Sequence, residues 1–210
     1  MTRVVSYSLW GTGKRYVIGA VENAISCARI YNGWECWFYC DANVPASTIT
    51  SLAELSNVRV IHIPGVDYLG LFWRFYPAAD PSVELFVSRD CDSRVSQKER
   101  ASVEEWIESG KMAHSIHDSR YHKHVFMGGM CGFRYGVMPD IHELIALFLK
   151  SNKPTYGSDQ NFLAQIIFPR VSDSIVFHSS QECSRRWTGS IPFPVQSSVQ
   201  GGFIGARVSV

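Results

Sequence analysis

Short apolar runs alternate with stretches of helical spacing through most of the chain. This pattern predicts an α/β fold, with a mixed, mainly parallel central sheet flanked by helices. Arg3 to Ser8 reads as the first strand. Val17, Ala20, Val21, Ala24 and Ala28 then recur at helical spacing and predict a helix over Lys14 to Tyr31, closed by Asn32-Gly33. Glu35 to Cys40 reads as a strand, Pro45 to Ser56 as a helix beginning at its proline, and Val58 to Ile63 as a strand stopped by Pro64-Gly65. An aromatic-rich segment, Leu69 to Tyr76, predicts a short helix. Glu84 to Ser88 predicts a buried strand that runs directly into Arg89-Asp90-Cys91-Asp92-Ser93-Arg94.

The second half is less regular. Gln97 to Ser109 predicts a helix with Val103, Trp106 and Ile107 on one face, and Lys111 to Ile116 and Val125 to Met127 read as strands around a polar, histidine-rich loop. Pro139 to Lys150 and Ser158 to Phe168 read as helices, the second capped by Ser158 with Phe162, Leu163, Ile166 and Ile167 inward. Ser174 to Phe177 is the last predicted strand. From Ser179 to Val210 the chain is rich in Ser, Gly, Pro and Gln.

Composition narrows the picture. A chain of 210 residues buries about 70% of its unfolded surface, so one domain spanning 1–210 is expected to hold its core without metal or disulfide. Its 20 Lys plus Arg against 19 Asp plus Glu leave a net charge of +1, which argues against nucleic acid or an anionic membrane as partner and requires any anion to be held locally. No apolar run approaches the ~20 residues of a membrane span and no signal-peptide pattern opens the chain, so a cytoplasmic protein is expected. The six cysteines form no Cys-x-x-Cys pair and read as reduced, buried thiols.

The chemistry concentrates at Asp90-Cys91-Asp92, where an apolar strand ends. Ligand sites in open α/β sheets gather at the carboxyl ends of strands, and two carboxylates one residue apart can converge on a hard divalent cation. A solvated turn in which Asp92 caps the next helix is the alternative. Arg74, Arg89 and Arg94 nearby suggest phosphate recognition or, for Arg94, a surface ion pair. Tyr7, Ser8, Trp10, Gly11, Thr12, Gly13, Lys14 and Arg15 combine aromatics, glycines and cations at a strand-to-helix turn, which fits either a nucleotide diphosphate pocket or a plain turn. His114, Asp118 and His122 precede Gly128-Gly129-Met130-Cys131-Gly132. The glycines would let backbone come close to a bound ligand, and Asp118 would bind its hydroxyls or take a proton. The His-x7-His spacing is not that of a zinc site.

The block SRDCDSRVSQKERASVEEWIESGKMAHSIHD, with YHKHVFMGGMCGFRYG, YGSDQNFLAQIIFP and a later FHSS, resembles a group of viral and bacterial glycosyltransferases with the GT-A fold. The resemblance runs from the first strand to His178. It implies a single GT-A-like, Rossmann-like domain with a nucleotide-binding part over about residues 1–95 and a donor-sugar and acceptor part over about 96–210. It also implies transfer of a hexose or deoxyhexose from a UDP-sugar to a glycan hydroxyl, with Mn²⁺ or Mg²⁺ as cofactor, in viral or surface glycan synthesis. Asp90, Asp92 and His178 would form the metal site. Asp159 and Gln160 match a pair beside the donor sugar, which leans towards retention; an inverting enzyme would need Asp159 or Asp118 as base. Asn161 departs from a second Asp found in many relatives. Tyr7, Ser8, Trp10, Gly11, Lys14, Arg15, Asp41, Arg74, Arg89, Asp90, Cys91, His114 and Gly129 complete the expected nucleotide and donor contacts. The abrupt C-terminus fits a domain boundary, with further domains of a longer chain as partners. A phosphohydrolase or phosphotransferase with Asp90 as nucleophile, and a non-catalytic glycan-binding domain, are the rival readings.

Overall fold

The computed structural model describes residues 1–64, 69–187 and 189–209; Gly65 of the Pro64-Gly65 stop, and Thr188 and Val210 of the final Ser-rich stretch, lie outside them. Strands β1 (Thr2–Leu9), β2 (Glu35–Cys40), β3 (Val58–His62), β4 (Val83–Arg89), β5 (Ala113–His117), β6 (Met130–Arg134) and β7 (Ile175–Ser179) form one sheet in the order β3-β2-β1-β4-β6-β5-β7. Only β6 runs against its neighbours, pairing antiparallel with β4 and β5, while the remaining pairs are parallel. The carboxyl ends of β1, β4, β5 and β7 therefore open on the same sheet edge.

The sheet separates two cores because successive side chains on a strand point to opposite faces. Val4, Trp37 and Phe86 pack on one side with Phe72, Phe133 and Phe162. Their chain neighbours Val5, Phe38, Leu85 and Val87 pack on the other with Ala20, Ala24, Leu52 and Trp106. Helices α1 (Lys14–Ile30), α2 (Ala46–Ala53) and α4 (Gln97–Ser109) cover this second face; α3 (Gly70–Trp73), α5 (Ile141–Ser151), α6 (Ser158–Phe162) and α7 (Phe168–Val171) cover the first. The short α8 (Gln181–Ser184) follows β7. All six cysteines are free and buried.

Four local expectations change. Val125–Met127 is not a strand: Phe126 is fully buried against Phe133, with ring centroids 5.1 Å apart, so the run is apolar because a loop fills the core. The strand is β6, whose Gly132 admits the Trp106 ring; a Cβ there would lie 2.8 Å from it. Ser158 is the first helical residue rather than the cap. Gly157, with φ +83°, precedes it, and the Ser158 hydroxyl accepts the Thr155 N–H at 2.8 Å. The predicted Ser158–Phe168 helix continues through a π-helical segment, Leu163–Ile167, into α7. Pro169 there brings no N–H, and a wider turn accommodates its ring.

Candidate functional site

The site is built around Arg74, just after α3. Its N–H donates to the Ser8 hydroxyl at 2.9 Å, which ties the segment to the end of β1. Its side chain is 7% exposed and joins two acids: Asp90, beyond β4, and Asp159, in the first turn of α6 at 2.5 Å. Burial disfavours the guanidinium charge, but Asp90 and Asp159 more than offset this and raise the Arg74 pKa above its ordinary value. Around this bridge lies a cleft of about 360 Å³ lined by Trp10, Tyr16, Asp90, Asp92, Asp159 and Gln160, among others. Asp90 is 40% exposed. Asp92 is 8% exposed and pairs with Arg207 Nε at 3.3 Å. Burial and the neighbouring Asp90 raise the Asp92 pKa, while Arg207 and Arg15 oppose the shift.

Two glycines let the entry to β6 lie against these acids. A Cβ on Gly129 would collide with the Asp90 carboxylate, and one on Gly128 with the Asp159 carboxylate. The C-terminal segment closes another side. Val208 N–H donates to the Asp92 carbonyl at 2.9 Å, and Gly205 and Arg207 line the cleft. No periodicity or motif singles out Arg207, which lies in an aperiodic tail. Tyr156 and Gly157 also line the cleft, and their adjacency to the Ser-Asp-Gln motif could have singled them out.

Several expected ligands are engaged elsewhere. Tyr7 is fully buried and stacked on Phe38 at 4.6 Å, because its side of β1 faces the α1 core rather than the cleft. Arg89 is also interior. It pairs with Glu99 at 3.2 Å and donates to the Gly129 carbonyl at 2.9 Å, so its charge holds the cleft floor from beneath. Arg94 forms an ion pair with Glu22, but its own side chain is buried rather than on the surface as expected. Asp41 is buried and accepts the Gly11 N–H at 3.1 Å and the Asn43 N–H at 3.0 Å, which shapes the β1–α1 turn. The Cys91 thiol points inward to the Ser8 carbonyl. Lys14 and Arg15 are exposed in the first turn of α1, with Arg15 close enough to act on Asp92.

The structure does not bring His178, His114 or Asp118 to the acid pair. His178 is fully buried, with Nε2 2.9 Å from Glu105 and Nδ1 2.8 Å from His114 Nε2. A carboxylate only accepts, so in a neutral ring His178 Nε2 donates to Glu105 and Nδ1 accepts from His114; both nitrogens are used. Asp118 Oδ1 accepts from Lys98 Nζ at 2.6 Å and Oδ2 from the Ile204 N–H at 2.9 Å, so it anchors the tail to α4. His122 does line the cleft, and its Nδ1 accepts the Asp118 N–H at 3.0 Å.

Burial pushes His117 and His122 down to about 4 and also lowers His114 and His178. Between about 4 and the ordinary histidine value of about 6.5, the unfolded chain therefore binds more protons than the folded one. Stability is full above that window and falls as pH falls through it. The melting temperature should drop between pH 7 and 5; a flat profile would contradict neutral buried imidazoles.

Among the described residues, no group of three or more His, Cys, Asp and Glu side chains is placed to hold a metal. Asp90 and Asp92 alone offer an all-oxygen pair at the mouth of a cleft with room for further oxygen ligands. That donor set fits Mg²⁺ or Mn²⁺ completed by a bound diphosphate and does not fit a closed zinc site.

The seven-stranded order with its lone antiparallel β6 is that of the GT-A fold, found in glycosyltransferases and nucleotidyltransferases. Among solved structures, the chain is similar to a glycosyltransferase involved in the glycosylation of the major capsid of PBCV-1, with 14% identity, TM-score 0.57, and 94% of this chain and 95% of that one covered. It is also similar to the galactosyltransferase LgtC in complex with donor and acceptor sugar analogues, with 12% identity, TM-score 0.55, and 85% and 73% coverage. A 4-diphosphocytidyl-2C-methyl-D-erythritol synthase from Anaerococcus prevotii shares the fold at 12% identity, TM-score 0.52, and 86% and 88% coverage. No family model and no curated protein matches the sequence. Among the described residues, no helix is long and apolar enough to cross a membrane.

Proposed function

We propose that the protein is a metal-dependent glycosyltransferase that moves a hexose or deoxyhexose from a UDP-sugar to a glycan hydroxyl with retention, in viral or surface glycan synthesis. The observation that carries this reading is the Arg74 bridge, which draws the acid pair of β4 and the Asp159-Gln160 start of α6 to one cleft. Asp90 and Asp92 would hold Mn²⁺ or Mg²⁺, which when bound supplies positive charge to a departing diphosphate. The chain's own groups frame the rest. Trp10 and Tyr16 offer aromatic surface for a base at the β1 end of the cleft. α1 starts there without a side-chain cap or an acid in its first turn, so its amides and Arg15 favour phosphate oxygens. Arg74 fixes the Asp159 carboxylate, and Gln160 beside it can bind the sugar near its reacting carbon. Asp118 has both oxygens occupied and Asp159 is held by Arg74, so neither acid is free as the base that inversion requires, which supports retention.

The test is incubation with UDP-glucose, UDP-galactose and UDP-rhamnose plus Mn²⁺, with products followed by NMR. UDP release and a retained anomeric configuration are expected. An inverted product would overturn retention. Phosphate release from simple phosphoesters, indifferent to UDP-sugars, would replace this reading with a phosphohydrolase using Asp90. Glycan binding without turnover of any nucleotide sugar would leave a non-catalytic glycan-binding domain.

The Gly129 contact gives a second expectation. Gly129→Ala forces the Asp90 carboxylate out of its position, so Mn²⁺ affinity in the presence of UDP should fall at least about tenfold, within the range for a displaced supporting group, with the circular dichroism spectrum retained. Unchanged affinity by Mn²⁺ electron paramagnetic resonance titration would contradict the assignment.

A further inference from the structure

Beside the cleft lies a second cavity of about 190 Å³ whose walls carry Arg120, Arg185, Arg186 and Trp187. It shares His122 with the cleft. Its position follows from the sheet. Arg120 is on the loop after β5, and Arg185 to Trp187 follow α8 after β7, so both groups stand at the same carboxyl edge as Asp90. β5 and β7 are two and three strands from β4, roughly 10–14 Å at about 4.8 Å per spacing. That separation is within the reach of a short oligosaccharide whose end lies in the cleft.

The charge at this cavity is unbalanced. Three arginines face one acid, Glu182, a local excess of two positive charges in a chain whose whole net charge is +1. Arg185 and Arg186 are exposed, and neither side chain forms an ion pair or hydrogen bond among the described residues. Trp187 is fixed by stacking on His117 at 4.2 Å and on Phe177 at 5.8 Å. Its indole N–H is buried with no hydrogen-bond partner among the described residues, an arrangement that costs free energy. Planar guanidinium groups beside a rigid indole suit a carboxylate carried on a sugar ring.

We propose that this cavity is an acceptor subsite for an anionic glycan, one bearing carboxylates such as uronic acids a short distance from the hydroxyl that is glycosylated. The inference rests on the glycosyltransferase reading for its acceptor role. It predicts selectivity for acidic acceptors that the Asp90-Asp92 site could not supply.

The test titrates the protein with a galacturonic acid trisaccharide and with the corresponding neutral galactose trisaccharide, using calorimetry, and repeats both with the Arg185→Ala/Arg186→Ala double variant. The acidic trisaccharide should bind at least tenfold more tightly than the neutral one, and the double variant should lose at least tenfold of that affinity. The melting shift caused by UDP plus Mn²⁺ should be unchanged in the variant, which also reports that it is folded. Equal binding of acidic and neutral trisaccharides, or a double variant that binds like the parent, overturns the proposal. Displacement by inorganic phosphate at the same concentration as the trisaccharide also overturns it, because the cavity would then be a simple anion site. Failure of UDP plus Mn²⁺ to shift the parent's melting would count against the transferase reading alone; the trisaccharide titration judges the subsite separately.

Discussion

Asp92→Asn is expected to lower Mn²⁺-dependent turnover of a UDP-sugar by about a thousandfold or more, equivalent to ~4 kcal/mol of lost transition-state stabilisation. Asp92 is the better-buried member of the pair, and its carboxylate stands beside Asp90 at a cost in repulsion that Arg207 and Arg15 oppose without reversing. Asparagine keeps the shape, and the backbone carbonyl that accepts from Val208 is untouched. The lost Arg207 pairing is with a side chain 60% exposed, so its contribution to stability is small. The melting temperature should therefore stay within a few degrees while turnover collapses. Initial rates and melting curves on the same preparation check this; turnover within tenfold of the parent would remove Asp92 from the metal site.

The second large effect is structural. Glu99→Ala should cost about 3–5 kcal/mol, the range for removing one partner of a buried ion pair. Arg89 and Glu99 are each 2% exposed, and Glu99 also accepts the Tyr31 hydroxyl at 2.7 Å. Burial raises the Glu99 pKa, and Arg89 and the Tyr31 hydrogen bond counter it. Without the carboxylate, a buried guanidinium and a buried phenol lose their partner together. At roughly 2–4 °C per kcal/mol for a chain of this size, the melting temperature should fall by roughly 6–20 °C. The Arg89 hydrogen bond to Gly129 means that the loosening should also reach the cleft floor. Urea unfolding measures the loss, and a change below about 1 kcal/mol would show that the pair contributes little. Replacing both residues with apolar ones of similar volume should be milder than Glu99→Ala.

The N-terminal half was legible because β1, β2 and β4 are largely buried on both faces and its helices have one apolar side. β2 and α4 match their expected limits, Glu35–Cys40 and Gln97–Ser109. β6 was missed because Met130–Arg134 includes a glycine chosen for the Trp106 ring rather than for strand propensity. At the site, Asp90, Asp92, Arg74, Asp159 and Gln160 were named in advance and do meet in one cleft. Arg89 was read as a ligand from its place beside Asp90 and His178 from the resemblance; neither reveals which face a strand-end side chain takes, and both turn inward, to Glu99 and to His114. Asp118 shows the same limit, since its partners Lys98 and Ile204 are remote in sequence. Arg207 and the arginine-lined cavity depend on an irregular tail and on two loops brought together only by the order of β5 and β7.

The acids of β4 and a diphosphate are expected to bind one metal between them. Thermal melting with UDP and Mn²⁺, separately and together, addresses it directly. UDP with Mn²⁺ at about a hundred times its dissociation constant should raise the melting temperature by roughly 5–10 °C, following the ~2.7 kcal/mol that such saturation contributes, with little shift from either component alone. Asp92→Asn should abolish the combined effect. An equal shift from UDP without metal, or a combined shift that survives Asp92→Asn, would contradict the composite site.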